Sequence, residues 1–194
     1  MSWSAESSDE ELMLFYRDGD AGAFDALYAR HKGGVFRYLA RQCRDAAAAE
    51  ELFQDVWMNL IRARAGYTVQ AKFTTYLYRL AHNRLIDHYR KQGQAAVESY
   101  DAEDGPALEA LVDEHAQPPE DAVDARRQAA ELLELIGELP APQREAFLLQ
   151  HEGGMSVEEI AAATGVSRET AKSRLRYARA KLRQLLAGER SAHV

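Results

Sequence analysis

The sequence predicts an all-α protein of two small helical domains joined by an acidic linker, and three observations carry that reading. Apolar residues recur at helical spacing over most of the chain, and Ala, Leu, Glu and Arg outweigh runs of Val, Ile or Thr. Charge is segregated: residues 94–125 hold 10 Asp or Glu and no Lys or Arg, whereas residues 1–93 and 126–194 carry net charges of +1 and +2. The acidic stretch also contains Pro106, Pro118 and Pro119 and lacks periodicity, which marks it as an extended linker.

The chain's net charge of −7 therefore belongs to its middle, and both flanking modules are free to be basic in patches. A relaxed coil of the linker's 32 residues spans about 28–34 Å, and self-repulsion lengthens it, so the two modules can sit far apart. Cys43 is the single cysteine, which excludes an internal disulfide and a cysteine-based metal site; its helical setting suits a structural thiol. No apolar run reaches the roughly 20 residues of a membrane span, so no membrane insertion and a cytoplasmic location are expected.

In the first module, Ser8 is placed to cap a helix whose opening Asp9, Glu10 and Glu11 suit the positive end of the helix dipole. Leu12, Phe15 and Tyr16 follow at helical spacing until Asp18-Gly19-Asp20 breaks the run. The next helix puts Phe24, Leu27, Tyr28, His31, Val35, Phe36 and Leu39 on one stripe. Gly33-Gly34 should weaken its middle by roughly 1 kcal/mol for each Gly. His31 reads as a core histidine. A third helix, Ala46 to Arg62, turns Leu52, Phe53, Val56, Trp57, Leu60 and Ile61 inward. Its adjoining face of Glu51, Gln54, Asp55 and Met58 is either solvated or open to a partner helix.

After Gly66-Tyr67 comes Lys72 to Gln92, with Leu77, Leu80, Ala81, Leu85 and Tyr89 as the inward stripe. Outside lie Tyr76, Arg79, Asn83, Arg84, His88, Arg90 and Lys91. Cations interleaved with flat rings suit single-stranded nucleic acid, where stacking contributes roughly 1–3 kcal/mol per base; the alternative is an ordinary basic face. His82 and His88 stand six apart, which is not the spacing of a helical metal pair.

The second module starts with Ala129, Leu132, Leu133 and Ile136 on a helix ending near Leu139-Pro140. Pro142 opens the next helix, which carries Phe147 and Leu148 and closes at Gly153-Gly154. Ser156 and Glu159 form a capping box, Ile160 and Ala161 turn inward, and Gly165 supplies the left-handed stop. Val166 plugs the turn and Ser167 caps a second, basic helix. Seven Lys or Arg and one Glu lie between Arg168 and Arg183, a density suited to phosphates. A short tail, Ala187 to Val194, follows. The pattern is a helix-turn-helix DNA reader. A stand-alone transcriptional regulator is the alternative, but no heptad seam for dimerisation is present. No HExxH, phosphate loop or paired-carboxylate site is present, so no enzyme activity, catalytic residue, metal or cofactor is assigned.

Four stretches, AEELFQDVW (49–57), FTTYLYRLAHNRLIDHYRK (73–91), ELPAPQREAFLL (138–149) and TAKSRLRYARAKLR (170–183), occur in an order that resembles a bacterial RNA polymerase sigma factor of the extracytoplasmic-function group, sigma-70 family. The resemblance covers about Asp9 to Leu186. It implies region two within residues 1–93 and region four within 126–194, with promoter DNA, core RNA polymerase and an anti-sigma factor as partners. It assigns Glu51, Gln54, Asp55 and Trp57 to core polymerase. It assigns Tyr76, Arg79, Asn83, Arg84, His88, Arg90 and Lys91 to reading and melting the −10 element. It assigns Arg168, Glu169, Lys172, Ser173, Arg174, Arg176, Tyr177 and Arg179 to the −35 element. Tyr76 stands where many members have Trp, and Arg176-Tyr177 reverses a common order of aromatic then Arg.

Overall fold

Five of the seven α-helices described start on a side chain that accepts an orphan amide of the first turn. The computed structural model describes residues 3–43, 45–93 and 132–192, with side chains described to residue 187. Helix α1 (Asp9–Arg17) opens on Ser8, whose hydroxyl accepts the Glu11 amide at 3.2 Å while Glu11 accepts the Ser8 amide at 2.9 Å. Asp20 caps α2 (Ala21–Gln42) and Asp45 caps α3 (Ala46–Ala63). Helix α4 (Phe73–Gln92) has no cap of its own. Its Phe73 amide donates instead to Glu10 Oε1 of α1 at 2.6 Å, which brings a carboxylate to the positive end of the α4 dipole.

These four helices bury Leu12, Leu27, Val35, Leu39, Val56, Leu60, Phe73, Leu77 and Leu85 completely. The expected inward stripe of α4 is present at Leu77, Ala81 and Leu85, while Leu80 and Tyr89 are half-buried and Tyr78 joins the core. Helix α2 runs unbroken through Gly33-Gly34. Gly34 is there for space: a Cβ would lie 2.8 Å from Tyr78 Oη and 3.1 Å from the Glu152 carbonyl oxygen. His31 is held in place by Asp9, with Nε2 2.7 Å from Oδ2, and by the Phe73 ring.

In the second module, residues 132–137 are helical and turn Leu135, Ile136 and Leu139 inward. Leu132 and Leu133 are exposed, and the buried stripe begins at Leu135. Ala129 and the whole acidic linker, 94–125, lie outside the described residues. Helix α5 (Ala141–Gly153) carries Pro142 in its first turn and ends on left-handed Gly154, φ 61°. The Ser156–Glu159 capping box starts α6 (Val157–Thr164), which stops at Gly165, φ 71°. Helix α7 (Arg168–Ala192) then runs well past Leu186, so most of the expected C-terminal tail is helix. Its Thr170 amide donates to Ser167 Oγ at 3.0 Å.

The two modules pack on each other, α5 on α2 and α6 on α4. At the centre of the seam Glu145 is completely buried. Its Oε1 accepts the Tyr38 hydroxyl and lies 2.8 Å from His82 Nδ1, while Oε2 has no hydrogen-bond partner among the described residues. Around it, Glu152 pairs with Arg37 at 2.7 Å and with Arg41, Lys72 pairs with Glu159 at 2.8 Å, and Arg144 donates to Gln42 Oε1 at 3.0 Å. Among the described residues there is no strand, no group of side chains suited to a metal ion, and no helix long and apolar enough to cross a membrane.

Candidate nucleic-acid interface

Helix α4 separates its residues cleanly because positions three, four and seven apart share a face. Tyr76, Arg79, Asn83 and Arg90 therefore line up on the side opposite Leu77, Ala81 and Leu85. Arg79, Asn83, Arg90 and Lys91 are exposed; Tyr76, Arg84 and His88 are half-buried. Tyr76 leans on Tyr67 and Phe73, with ring centroids 5.4 and 6.5 Å away, and burial raises its hydroxyl pKa. His88 Nε2 accepts a 2.8 Å hydrogen bond from Gln92 Nε2.

An open cleft of about 730 Å³ runs between α3 and α4. Asn83, Arg84 and Arg90 line it, as the α4 pattern predicts. Asn59 and Arg62 from α3 and Asp87 from α4 line it too, and the sequence reading missed all three. Asp55, Asn59 and Arg62 recur at i, i+4 and i+7 on one α3 face, but spacing alone does not say that this face meets α4. Asp87 pairs with Arg84 and lies 3.7 Å from Arg90. It holds the two guanidinium groups at the rim of the cleft and lowers the cost of their mutual repulsion. His82 lines the same cleft and reaches the buried Glu145 from its other side.

On α3, Glu51 and Gln54 are exposed and Asp55 is half-buried, 3.8 Å from Arg84. Trp57 is different. Only 5% exposed, it packs edge-on against Tyr28, Phe24 and Phe53, with centroids 4.8, 5.9 and 6.3 Å away. Its large apolar area drives it inward, so it supports the α3 surface from beneath and offers little ring to a partner.

In α7, Ala171, Leu175, Ala178 and Leu182 form the buried stripe. Glu169, Lys172, Ser173, Arg176 and Arg179 are brought together along a second cleft of about 440 Å³, with Gln150 of α5 and Arg183 beside them. Arg179 donates to Gln150 Oε1 at 2.6 Å, which aims its guanidinium. Arg168 stands exposed at the helix start, 2.5 Å from Glu158. Arg174 and Tyr177 are half-buried and do not line this cleft. Arg176 lies over the neighbouring Tyr177 ring, 5.0 Å from its centroid, and donates to its hydroxyl at 3.3 Å. Six exposed cations on one helix following a tight turn is an arrangement for duplex phosphates and groove edges.

Residues 27–95 match the family model for Sigma-70 region 2, and residues 129–182 match that for Sigma-70, region 4. The chain is 35% identical over 171 residues to the RNA polymerase sigma factor CarQ of Myxococcus xanthus, covering 88% of this chain and 93% of that one. Its fold is similar to CnrH, solved in complex with the cytosolic domain of CnrY, with a TM-score of 0.67 at 24% identity over 94% of this chain and 99% of that one. It is also similar to the sigma factor RpoE solved with the anti-sigma factor NepR from Bartonella quintana, with a TM-score of 0.62 at 24% identity over 84% and 96% of the two chains. With two sigma regions in order and a relative matched over nearly its whole length, the chain belongs to the sigma-70 family, as an RNA polymerase sigma factor of the extracytoplasmic-function group.

Proposed function

We propose that promoter recognition is divided between the two clefts. The cleft between α3 and α4 takes unpaired bases of the −10 element, and the exposed face of α7 reads the −35 element. The observation that carries this reading is the convergence of Asn83, Arg84, Arg90, Asn59 and Arg62 on one open cleft. An amide can bond a base edge there while guanidinium groups neutralise the strand and stack on bases. Unstacking a base costs a few kcal/mol, which such contacts offset. Tyr76 and Arg79 extend the face along α4; His88 and Lys91 continue it toward Gly93. On α7, Lys172, Ser173 and Arg176 face the groove, Arg179 takes a phosphate, and Arg168, Glu169, Arg174 and Tyr177 lie at the borders. The exposed Glu51 and Gln54, with Asp55, take core polymerase.

The domain boundaries that fit are 1–93 and 126–194, with 94–125 as linker. Polymerase supplies the chemistry, so the chain itself is not an enzyme, and it acts in the cytoplasm. The two solved relatives were captured with CnrY and NepR, which supports an anti-sigma partner for this chain as well.

Run-off transcription with core polymerase tests the reading. Asn83→Ala and Tyr76→Ala should cut initiation on duplex promoters at least about tenfold, as a lost contact of 1–3 kcal/mol per base implies. Pre-melted templates should be affected less. Equal loss on both templates would remove the melting assignment.

A further inference from the structure

The cleft between α3 and α4 is lined by the guanidinium groups of Arg62, Arg84 and Arg90 and, among the described residues, by a single carboxylate, that of Asp87. A groove that follows single strands through their phosphates alone presents unpaired cations. Here two of the three are already matched. Asp87 pairs with Arg84 and lies 3.7 Å from Arg90, and its side chain is 40% exposed, so the carboxylate is open to whatever enters the cleft. Asp55, outside the cleft lining, adds a second carboxylate 3.8 Å from Arg84. Arg62 meets no carboxylate among the described residues.

A carboxylate in this place acts differently on the two parts of a strand. It repels phosphate, and a phosphate approaching Arg84 or Arg90 has to displace Asp87 first. It attracts the N–H groups of unpaired base edges, because it accepts hydrogen bonds and has none to give. Asn83 and Asp87 stand one turn apart on α4, so an amide donor and a carboxylate acceptor lie side by side in the cleft. That pair suits a base edge with adjacent acceptor and amino group, such as the edge of adenine or cytosine. Held by Asp87, Arg84 and Arg90 present their planes to bases more than their charge to phosphates.

We propose that Asp87 is a specificity-determining residue of this cleft. Its carboxylate accepts an N–H from an unpaired base and turns the sugar–phosphate backbone outward, leaving the phosphates to Arg62 and Arg79. The inference deepens the assignment of the cleft to single-stranded DNA and rests on it. Discrimination here uses a repulsive element: Asp87 weakens the attraction of every strand, and weakens it least for a strand that offers it a base.

The test uses the full chain without polymerase and three short fluorescent DNA strands of equal length. One carries adenine, one carries unsubstituted purine, which lacks the amino group, and one is abasic. Wild type should bind the adenine strand about two- to tenfold tighter than the purine strand, the range of one hydrogen bond. Asp87→Asn should bind the abasic strand about two- to fivefold tighter than wild type does, the range of an exposed ion pair. Its log affinity for that strand should fall more steeply with log salt, by about 0.7, because one more phosphate is neutralised. Its preference for adenine over purine should narrow. Glu50→Gln, which removes an exposed α3 carboxylate outside the cleft, should leave that preference unchanged. Equal binding of the adenine and purine strands by wild type would overturn the assignment without any variant, so it stays testable if circular dichroism shows that Asp87→Asn has lost helix. Unchanged or weaker binding of the abasic strand by a folded Asp87→Asn would also overturn it, leaving Asp87 only to aim the two arginines. A wild-type chain that binds none of the strands overturns it too, whatever run-off transcription returns for the sigma reading.

Discussion

Asp9 illustrates how one side chain can tie distant parts of the chain. Its Oδ1 accepts Arg30 Nη1 at 2.8 Å, and its Oδ2 meets His31 at 2.7 Å. Burial alone would raise its pKa, but the hydrogen bonds from His31 and Arg30, with their charges, outweigh that and hold it below the usual 3.8. A carboxyl depressed in the folded state stabilises the fold above its unfolded pKa, and that contribution is lost as pH falls through the folded value. Asp9→Asn should therefore flatten the loss of stability below about pH 4, as read by urea melts across a pH series. Gly165 is a simpler case. At φ 71° it occupies the left-handed region, and Gly165→Ala should cost about 1 kcal/mol in the same assay. That glycine was legible in the sequence because it follows a capped, apolar-periodic run. The Asp9–His31 pair was not legible, because the partners are 22 residues apart and only the packing of α1 on α2 joins them.

Among the helices, periodicity did most of the predicting. The inward stripes of α3 and α4 were legible because burial repeats every three to four residues. The cleft between them was not, because it depends on how α3 is rotated against α4, and Asn59 and Arg62 look like ordinary surface residues until that rotation is known. Nor could the sequence announce that α4 borrows its cap from Glu10. In α7, the basic face was legible, but Gln150 as the residue that aims Arg179 was not. Arg179→Ala should weaken binding to −35 duplexes about equally across sequences and reduce the slope of log affinity against log salt by about 1, because a phosphate contact carries no base information. A change confined to one base position would make Arg179 a base reader instead.

For the molecule as a whole, two all-helical modules and their order were evident from charge segregation and capping signals. Their mutual packing was hidden. Glu145 sits in a stretch, 138–149, that reads as a routine amphipathic helix, and its partners Tyr38 and His82 lie 107 and 63 residues away. Glu145→Ala leaves the Tyr38 hydroxyl and His82 Nδ1 without their partner, at a typical cost of about 1–3 kcal/mol for a buried polar group left unsatisfied. Hydrogen exchange should accordingly quicken in α5 and at the seam face of α2, with α1 and the Asp9 contact unchanged. Uniform acceleration would show instead that the modules do not separate as units. The polar make-up of the seam also bears on solubility. A greasy interface, once parted, would leave adhesive patches on both halves and invite clumping in a crowded cell. Here parting would expose Glu145, Glu152, Arg37, Arg41 and His82, which water accepts readily. It would also expose the buried Tyr38 and Tyr78 rings that meet α5, so a closed seam keeps apolar surface covered.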